Sequence, residues 1–308
     1  MQLFKSSTQS APLPVFKSEA LRQRYMAAYD AMLDDWPVAS EELDVETRQG
    51  STHVIASGAP DAPVLVLLPS FAGTATVWRL NVAGLSHHFR TYAVDVIGQP
   101  GRSLAARHMR NRHDYARWLA DVLDGLGVRR ASIVGCSFGG FLALNQASLT
   151  PERVERVVMI SPVGTFASQY WKLIWSARVK RPVIRLMRDL AGSKRPPSVA
   201  DLGIRPPRDG KWAALIGATM GAIDKLSVIN PSVLSTRELR AIAAPALLLI
   251  GDGEKLYDAA TMLALARRRM PKLEGAIVPD ADHVAAMVQP DDVNERIVSF
   301  LQRGVVAA

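Results

Sequence analysis

The chain has 308 residues, 48% of them hydrophobic and 21% charged, with a formal net charge of +8 and no long low-complexity tract, which is typical of a soluble globular protein. No apolar run approaches the roughly 20 residues that cross a bilayer, and the first ten residues lack the continuous apolar stretch of a secretory signal. A single cysteine, Cys136, excludes an internal disulfide framework, and together these features predict a cytoplasmic location.

Strands and helices are predicted to alternate along most of the chain. In chain order the predicted elements are a helix at 18–33, strands at 42–47, 52–57 and 63–69, a helix at 76–85, a strand at 91–96, a helix at 114–126, a strand at 131–135, a helix at 139–149, strands at 154–160 and 245–250, a helix at 258–270, a strand at 275–278 and a helix at 290–302. The continuous apolar run at 63–69 favours a strand buried on both faces. This alternation predicts a parallel sheet covered by helices on both faces.

One segment, residues 165–237, interrupts the alternation. It is rich in Trp, Arg, Lys and Pro, and its patterns are helical and loop-like. An insertion at the carboxyl edge of a parallel sheet lies above the substrate crevice, so we predict a helical cap. The predicted organisation is therefore a core of residues 1–164 and 238–308, with an N-terminal helical extension over about 1–40, and a cap of residues 165–237.

The cap region carries the excess positive charge. Residues 172–211 contain eleven Lys or Arg against three Asp, a net charge of +8. A solvated basic surface is the simplest interpretation, and attraction of an anionic substrate or a membrane surface is the alternative. No helix-turn-helix pattern and no aromatic-interleaved basic motif accompanies it, so no nucleic-acid partner is predicted.

Aromatic side chains recur at helical spacing near the start of the cap, at Tyr170, Trp171 and Trp175. They form one face of a predicted helix. This face either packs the cap on the core or contributes in part to an apolar pocket for the acyl or alcohol group of a substrate.

The strongest chemical signal is the segment Gly135-Cys136-Ser137-Phe138-Gly139. A serine hydroxyl is a weak nucleophile until a base takes its proton, and it must stand clear of the backbone. A sharp strand-to-helix turn presents it in this way and needs small residues two positions on either side. The segment follows a predicted strand and opens a predicted helix, so Ser137 is the predicted nucleophile, with an ordinary glycine-rich turn as the alternative. Cys136 is predicted to point away from the crevice as a structural cysteine.

The base is predicted to be His283. In this type of site the order along the chain is serine, acid, histidine, and His283 is the only one of six histidines that follows the last predicted strand. We expect His53 to pack within an early strand. His108 and His113 lie in an arginine-rich loop, where a solvated role is favoured and a substrate contact is the alternative.

The acid that orients the histidine is expected at a strand end. The strand at 154–160 is followed by Ser161 and Pro162, which offer no carboxylate, whereas the next strand is followed by Asp252 and Glu254. We favour Glu254, because the loop should turn back towards the serine at that point, with Asp252 as the alternative. Asp258 is a third candidate, although its position is more typical of a helix N-cap.

Backbone N–H groups are expected to stabilise the oxyanion of the reaction. One is that of Phe138, directly after the nucleophile. The other comes from the loop after the strand at 63–69, where Phe71 is favoured. Pro69 has no N–H and is excluded.

These motifs resemble the α/β-hydrolase superfamily, and within it the carboxylesterase-like branch, over nearly the whole chain. The matching segments are Leu67–Gly73, Asp95–Ser103, the turn at Ser137, Gly251–Glu254 and Ala281–His283. The resemblance implies an α/β-hydrolase fold with a mostly parallel eight-stranded sheet, helices on both faces and a helical cap. It also implies a triad of Ser137, Glu254 and His283, backbone donors at Phe71 and Phe138, and no metal or organic cofactor.

The chain departs from the family pattern at two places. Pro69-Ser70 stands where the family usually has His-Gly, which affects the shape of the oxyanion loop, and the acid is Glu254 where Asp is more common. Related dehalogenases and epoxide hydrolases place Asp at the nucleophile position, and Ser137 argues against both activities.

Three functions are compatible with these residues. We favour hydrolysis of a small-molecule carboxylic ester, lactone or thioester through an acyl-enzyme at Ser137. The first alternative is a carbon–carbon bond hydrolase acting on an anionic ring-cleavage product, which uses the same triad. The second is a non-catalytic protein that binds a ligand on the same fold.

Overall fold

The computed structural model describes residues 12–13, 15–167, 209–223 and 226–303. Its main elements alternate between strand and helix from residue 64 onwards. In chain order they are α1 (Glu19–Leu33), β1 (Ser40–Thr47), β2 (Gly50–Ser57), β3 (Val64–Leu68), a 3₁₀ helix (Ala75–Leu80), α2 (Val82–Ser86), β4 (Arg90–Val94), β5 (Leu104–Ala105), α3 (Arg112–Gly125), β6 (Ala131–Cys136), α4 (Phe138–Leu149), a second 3₁₀ helix (Pro151–Arg153), β7 (Val154–Ile160), α5 (Gly210–Ala222), α6 (Thr236–Ala241), β8 (Ala246–Gly251), α7 (Ala259–Arg269), β9 (Glu274–Val278), α8 (Ala285–Val288) and α9 (Pro290–Gln302).

The described strands form one sheet in the order β1-β2-β4-β3-β6-β7-β8-β9. The β1–β2 and β2–β4 pairs are antiparallel, and every pair from β4–β3 to β8–β9 is parallel. The predicted eight-stranded, mostly parallel sheet is confirmed, and the two-residue strand β5 adds a ninth strand by pairing with β2. Because the parallel strands share one direction, the loops after β3, β6, β8 and β9 meet at one edge.

The sheet is buried on both faces. In β3, Val66 and Leu68 pack into the cluster that includes α3 and α4, whereas Leu65 and Leu67 pack into the cluster that includes α9. Successive side chains of a strand point to opposite faces, so a continuous apolar run feeds two cores at once. This is why the apolar run at 63–69 marks a central strand.

A third apolar cluster joins the N-terminal helix to the described part of the predicted cap. Tyr25 and Tyr29 of α1 pack with Trp212 and Leu215 of α5. A β-bridge between residues 16 and 223 and an ion pair between residues 35 and 211 extend the contact. The N-terminal extension is therefore packed against α5. The aromatic residues predicted near the start of the cap, Tyr170, Trp171 and Trp175, lie outside the described residues, as does most of the basic segment 172–211.

The prediction of one continuous helix at 76–85 is wrong. The structure has a 3₁₀ helix and the short helix α2, divided at Asn81. Asn81 Nδ2 donates to Asn294 Oδ1 at 3.0 Å, and Asn294 Nδ2 donates to the backbone carbonyl of Asn81 at 3.1 Å. The Asn81 N–H donates to the carbonyl of Trp78 at 2.8 Å, a 3₁₀-type bond, and the buried pair with α9 holds Asn81 at this division. In the described part of the chain, no helix combines the length and the apolar character that a bilayer span requires.

Candidate active site

The tight turn between β6 and α4 presents Ser137. This residue has φ 52° and ψ −110°, a backbone conformation that L-amino acids rarely adopt. A Cβ on Gly135 would collide with the carbonyl oxygen of Gly139, and a Cβ on Gly139 would collide with that of Leu68. The two glycines of the motif are therefore required by close backbone approach, and the strained turn places the serine at the carboxyl edge of the sheet.

The structure brings the three predicted side chains into one hydrogen-bonded chain. His283 Nε2 lies 2.9 Å from Ser137 Oγ, and His283 Nδ1 lies 2.7 Å from Glu254 Oε2. An ionised carboxylate is an acceptor only, so Nδ1 of His283 carries the proton and donates a hydrogen bond to Glu254. Nε2 is then free to accept the serine proton. All three residues are buried, with Ser137 only 6% exposed.

Both oxygens of Glu254 are engaged. Oε2 faces His283, and Oε1 accepts from the backbone N–H groups of Lys255 at 2.8 Å and Leu256 at 2.9 Å. Burial acts to raise the pKa of Glu254. The hydrogen bond and charge of His283, together with the N–H of Leu256 and the hydroxyl of Ser161, lower the pKa by more than burial raises it, so it lies below its ordinary value. The carboxylate is thus ionised and oriented towards the histidine.

The two other carboxylates considered as the acid lie elsewhere. Asp252 accepts from the backbone N–H groups of Asp280 at 3.1 Å and Ala281 at 3.2 Å, so it holds the loop that carries His283. Asp258 caps α7 by accepting from the N–H of Thr261 at 2.8 Å, as the N-cap interpretation expected. The geometry therefore places Glu254 on the histidine, with Asp252 behind it.

Two neighbours of the acid were missed by sequence reasoning. Ser161 is buried with φ 44°, and its hydroxyl contributes to lowering the pKa of Glu254. Tyr257 is also buried, and its hydroxyl donates to the carbonyl of Pro162 at 3.4 Å. Ser161 directly follows β7, the strand next to β8. Because β7 and β8 are neighbours in the sheet, a hydroxyl at the end of β7 lies beside the acid.

Phe71 and Phe138, whose backbone N–H groups are the predicted oxyanion donors, are in contact through their side chains. The rings of Phe71 and Phe138 pack edge to face with centroids 6.5 Å apart. Among the hydrogen bonds of the described residues, none is donated by the backbone N–H of Phe71 or Phe138. Phe138 is the first residue of α4, where backbone N–H groups lack helical partners and the helix dipole favours negative charge. The Phe71 ring is 52% exposed, so the site has an apolar surface on this side.

Cys136 packs against the apolar cluster on the α9 side of the sheet, as predicted, although it is partly rather than fully buried. Burial raises the pKa of its thiol above the ordinary value, which disfavours the reactive thiolate.

His53 and His108 have side-chain partners away from Ser137. His53 is buried in β2, with Nδ1 3.1 Å from a carboxylate oxygen of Asp44. His108 Nδ1 lies 3.0 Å from Ser227 Oγ. Within the ranges that the structure describes, no group of three or more His, Cys, Asp or Glu side chains is arranged to hold a metal ion.

Comparison with known proteins places the chain among hydrolases. Residues 65–296 match the alpha/beta hydrolase family. The chain is 35% identical to the carboxylesterase YbfK of Bacillus subtilis over 288 residues, covering 92% of this chain and 95% of that protein. It is 33% identical to an uncharacterized carboxylesterase, nap, of the same organism over 299 residues, covering 96% and 97% of the two chains.

Solved structures agree with the sequence relatives. The crystal structure of naproxen esterase, carboxylesterase NP, from B. subtilis superposes with a TM-score of 0.78 at 32% identity, covering 92% of this chain and 99% of that chain. That of carboxylesterase CesB (YbfK) from B. subtilis gives a TM-score of 0.78 at 33% identity, covering 93% and 100%. The chain therefore belongs to the alpha/beta hydrolase family, and these relatives within it are carboxylesterases.

Proposed function

We propose that this protein hydrolyses carboxylic esters through an acyl-enzyme formed on Ser137. The observation that carries the proposal is the buried chain from Ser137 through His283 to Glu254, with contacts of 2.9 Å and 2.7 Å. Such a chain activates a serine for attack on an acyl carbon. The similarity to carboxylesterases at 33–35% identity over more than nine-tenths of the chain supports an ester as the acyl donor.

In the first half of the reaction, His283 Nε2 takes the proton of Ser137 as Oγ bonds to the ester carbonyl carbon. The carbonyl π electrons move to the oxygen, and the backbone N–H groups of Phe71 and Phe138 are the proposed donors to this oxyanion. Glu254 stabilises the imidazolium by its charge and its hydrogen bond to Nδ1. As the tetrahedral intermediate collapses, the C–O bond to the alcohol breaks and His283 gives that oxygen its proton.

In the second half, water replaces the alcohol. His283 takes a proton from the water as its oxygen attacks the acyl carbon, and the proton then returns to Ser137 Oγ when the acid leaves. The buried position of the triad keeps other solvent away from the acyl-enzyme. The protein groups return to their starting protonation states, so the sequence of steps needs no co-reactant apart from water.

The direct test uses p-nitrophenyl butyrate, naproxen methyl ester and a fluorophosphonate probe. The naproxen ester is included because one of the related structures is that of a naproxen esterase. We expect turnover of at least one ester, and covalent labelling that maps to Ser137 by mass spectrometry. Ser137→Ala should abolish both, whereas Cys136→Ser should retain both because that side chain faces the apolar cluster. Absence of turnover and labelling in the parent protein would contradict the proposal.

We extend the proposal to residues 165–237, as a cap over this site. The support is α5, which lies within that segment and packs against α1 through the cluster of Tyr25, Tyr29, Trp212 and Leu215. The carbon–carbon bond hydrolase remains a prediction, which turnover of a vinylogous diketone acid in the same assay would support. The cytoplasmic location and the contact of the basic segment with a membrane surface also remain predictions.

A further inference from the structure

Gln99 is a buried side chain with one hydrogen bond. It lies in the loop after β4 and is 1% exposed, and its Oε1 accepts from the backbone N–H of Ala72 at 2.7 Å. Among the described residues, its Nε2 has no hydrogen-bond partner. A buried amide with an unpaired donor is less favourable than an apolar side chain of the same length, such as methionine. What glutamine provides here and methionine would not is therefore the side-chain carbonyl that accepts from the N–H of Ala72.

Ala72 belongs to the segment Pro69–Ala75, called here the oxyanion loop, which also contains Phe71. Ala72 has φ 57°, a left-handed conformation that is unfavourable for alanine and must be held by its surroundings. The bond from Gln99 fixes the peptide that joins Phe71 to Ala72, next to the peptide whose N–H is the proposed oxyanion donor. At the other end of the loop, Asp95 Oδ1 accepts from the N–H of Ala75 at 2.7 Å.

The loop that carries Gln99 is itself fixed at several points. The N–H of Gln99 donates to the carbonyl of Val96 at 3.1 Å, and the N–H of Arg102 donates to Asp95 Oδ2 at 2.7 Å. The N–H of Ser227, in the segment that follows α5, donates to the carbonyl of Gly98 at 3.0 Å. Gln99 thus joins the oxyanion loop to a segment that is held by Asp95 at the end of β4 and by Ser227 of the proposed cap.

We propose that Gln99 is a positioning residue, which holds the oxyanion loop so that the Phe71 N–H points to the place where negative charge develops. This inference rests on the proposed ester hydrolysis. An oxyanion donor acts on the transition state more than on the bound substrate, so a displaced donor lowers kcat with little change in KM. Gln99 does not touch the substrate in this proposal and acts only through the backbone of Ala72.

The kinetic test compares Gln99→Met with a matched control, Gln146→Met, in the full-length protein. Gln146 is also 1% exposed with an unpaired Nε2 among the described residues, but it lies two turns into α4. For Gln99→Met we expect kcat for p-nitrophenyl butyrate and the rate of labelling by a fluorophosphonate to fall about 10- to 100-fold, with KM changed less than about threefold. Gln146→Met should stay within about twofold of the parent. Equal losses in the two variants, or a Gln99→Met variant with parental kcat, would overturn the proposal.

Amide hydrogen exchange of the peptide that contains Ala72 provides a readout independent of turnover. The Ala72 N–H should be protected in the parent and in Gln99→Glu, whose carboxylate keeps an acceptor, and should exchange at least about tenfold faster in Gln99→Met. If the parent hydrolysed no ester, the proposed function would fail while this pattern still tested the contact. Unchanged exchange in Gln99→Met, or lost protection in Gln99→Glu, would overturn it. If Gln99→Met did not fold, the Gln99→Glu variant alone would test the contact: retained protection of the Ala72 N–H would support it and lost protection would overturn it.

Discussion

Two loops at the carboxyl edge of the sheet each contain a buried carboxylate, and the two carboxylates behave in opposite ways. Glu254 lies in the loop after β8, and Asp95 lies directly after β4. Each accepts from two backbone N–H groups, but only Glu254 is also hydrogen-bonded to an imidazole, at 2.7 Å. Burial raises the pKa of Asp95 more than its neighbours lower it, whereas the pKa of Glu254 lies below its ordinary value.

This difference shows which neighbours offset the effect of burial on the pKa of a carboxyl group. Backbone N–H groups, the hydroxyl of Tyr29 and the nearby His53 do not offset the loss of water around Asp95. Direct contact with His283 does so for Glu254. We interpret Asp95 as a structural acceptor that shapes the oxyanion loop, and Glu254 as a partner of the base. The following predictions test this division.

The largest effect is expected for Glu254→Gln. The amide keeps the size of the side chain but cannot stabilise the imidazolium by charge, and it can present an N–H to His283 where an acceptor is required. We expect kcat/KM for p-nitrophenyl butyrate to fall about 10³- to 10⁴-fold. Asp252→Asn, the matched control in the same loop, should fall less than about tenfold because Asp252 bonds backbone N–H groups and not the histidine. Similar losses in the two variants would contradict the assignment.

Asp95→Asn should act mainly on stability. One amide atom of asparagine is a donor, so either the Ala75 or the Arg102 N–H loses its acceptor in a fully buried position. We expect the free energy of unfolding to fall by about 1–3 kcal/mol, measured by urea denaturation. The folded variant should retain more of the parental kcat/KM than Glu254→Gln does. A variant as stable as the parent would show that these two contacts contribute little.

The pH dependence of stability should differ in sign between the two sites. The pKa of Glu254 is lowered on folding, so its contribution is present above the ordinary value of 4.5 and is lost as the pH falls through the folded-state pKa. The pKa of Asp95 is raised on folding, so its contribution is present below the ordinary value of 3.8 and is lost as the pH rises through the folded-state pKa. Unfolding free energies measured from pH 7 down to about pH 3 should therefore show the cost of Glu254→Gln shrinking below pH 4.5 and that of Asp95→Asn growing as the pH falls towards 3.8. Changes of the same sign would contradict the comparison.

The smallest effect is expected at Glu238, a carboxylate nearer the surface. The side-chain hydroxyl of Ser235 and the backbone N–H of Ser235 hold the pKa of Glu238 at about 2, and Arg112 forms an ion pair with it. Glu238→Gln keeps the capping arrangement at the start of α6 but removes the charge. We expect Tm to fall by about 1–3 °C at neutral pH. Because the folded pKa is depressed, this difference should be present above pH 4.5 and should vanish as the pH falls through about 2. A difference unchanged at low pH would exclude a charge effect.

The sequence predicted those parts of the site that depend on local pattern and chain order. The glycines around Ser137 mark a turn that tolerates no Cβ, and His283 follows the last strand, so both could be identified without any contact being known. Glu254 could be favoured from its position after β8, but the choice over Asp252 depended on which loop backbone turned towards the histidine. Tertiary structure separates the two acids, because Asp252 accepts from the N–H groups of Asp280 and Ala281 while Glu254 faces His283.

The succession of strands and helices along the chain and the buried strands were likewise predictable, because continuous apolar runs between glycines and prolines are properties of short segments. The division of residues 75–86 at Asn81 was not predictable, because Asn81 and its partner Asn294 lie 213 positions apart in the chain. The same reason applies to the contact of Gln99 with Ala72, which joins two loops that meet only because β3 and β4 are neighbours in the sheet. Residue type and spacing determined the fold class and predicted Ser137 as the nucleophile and His283 as the base. Contacts between segments far apart in the chain, which leave no periodic trace in a sequence, bring Glu254 to His283 and Gln99 to Ala72.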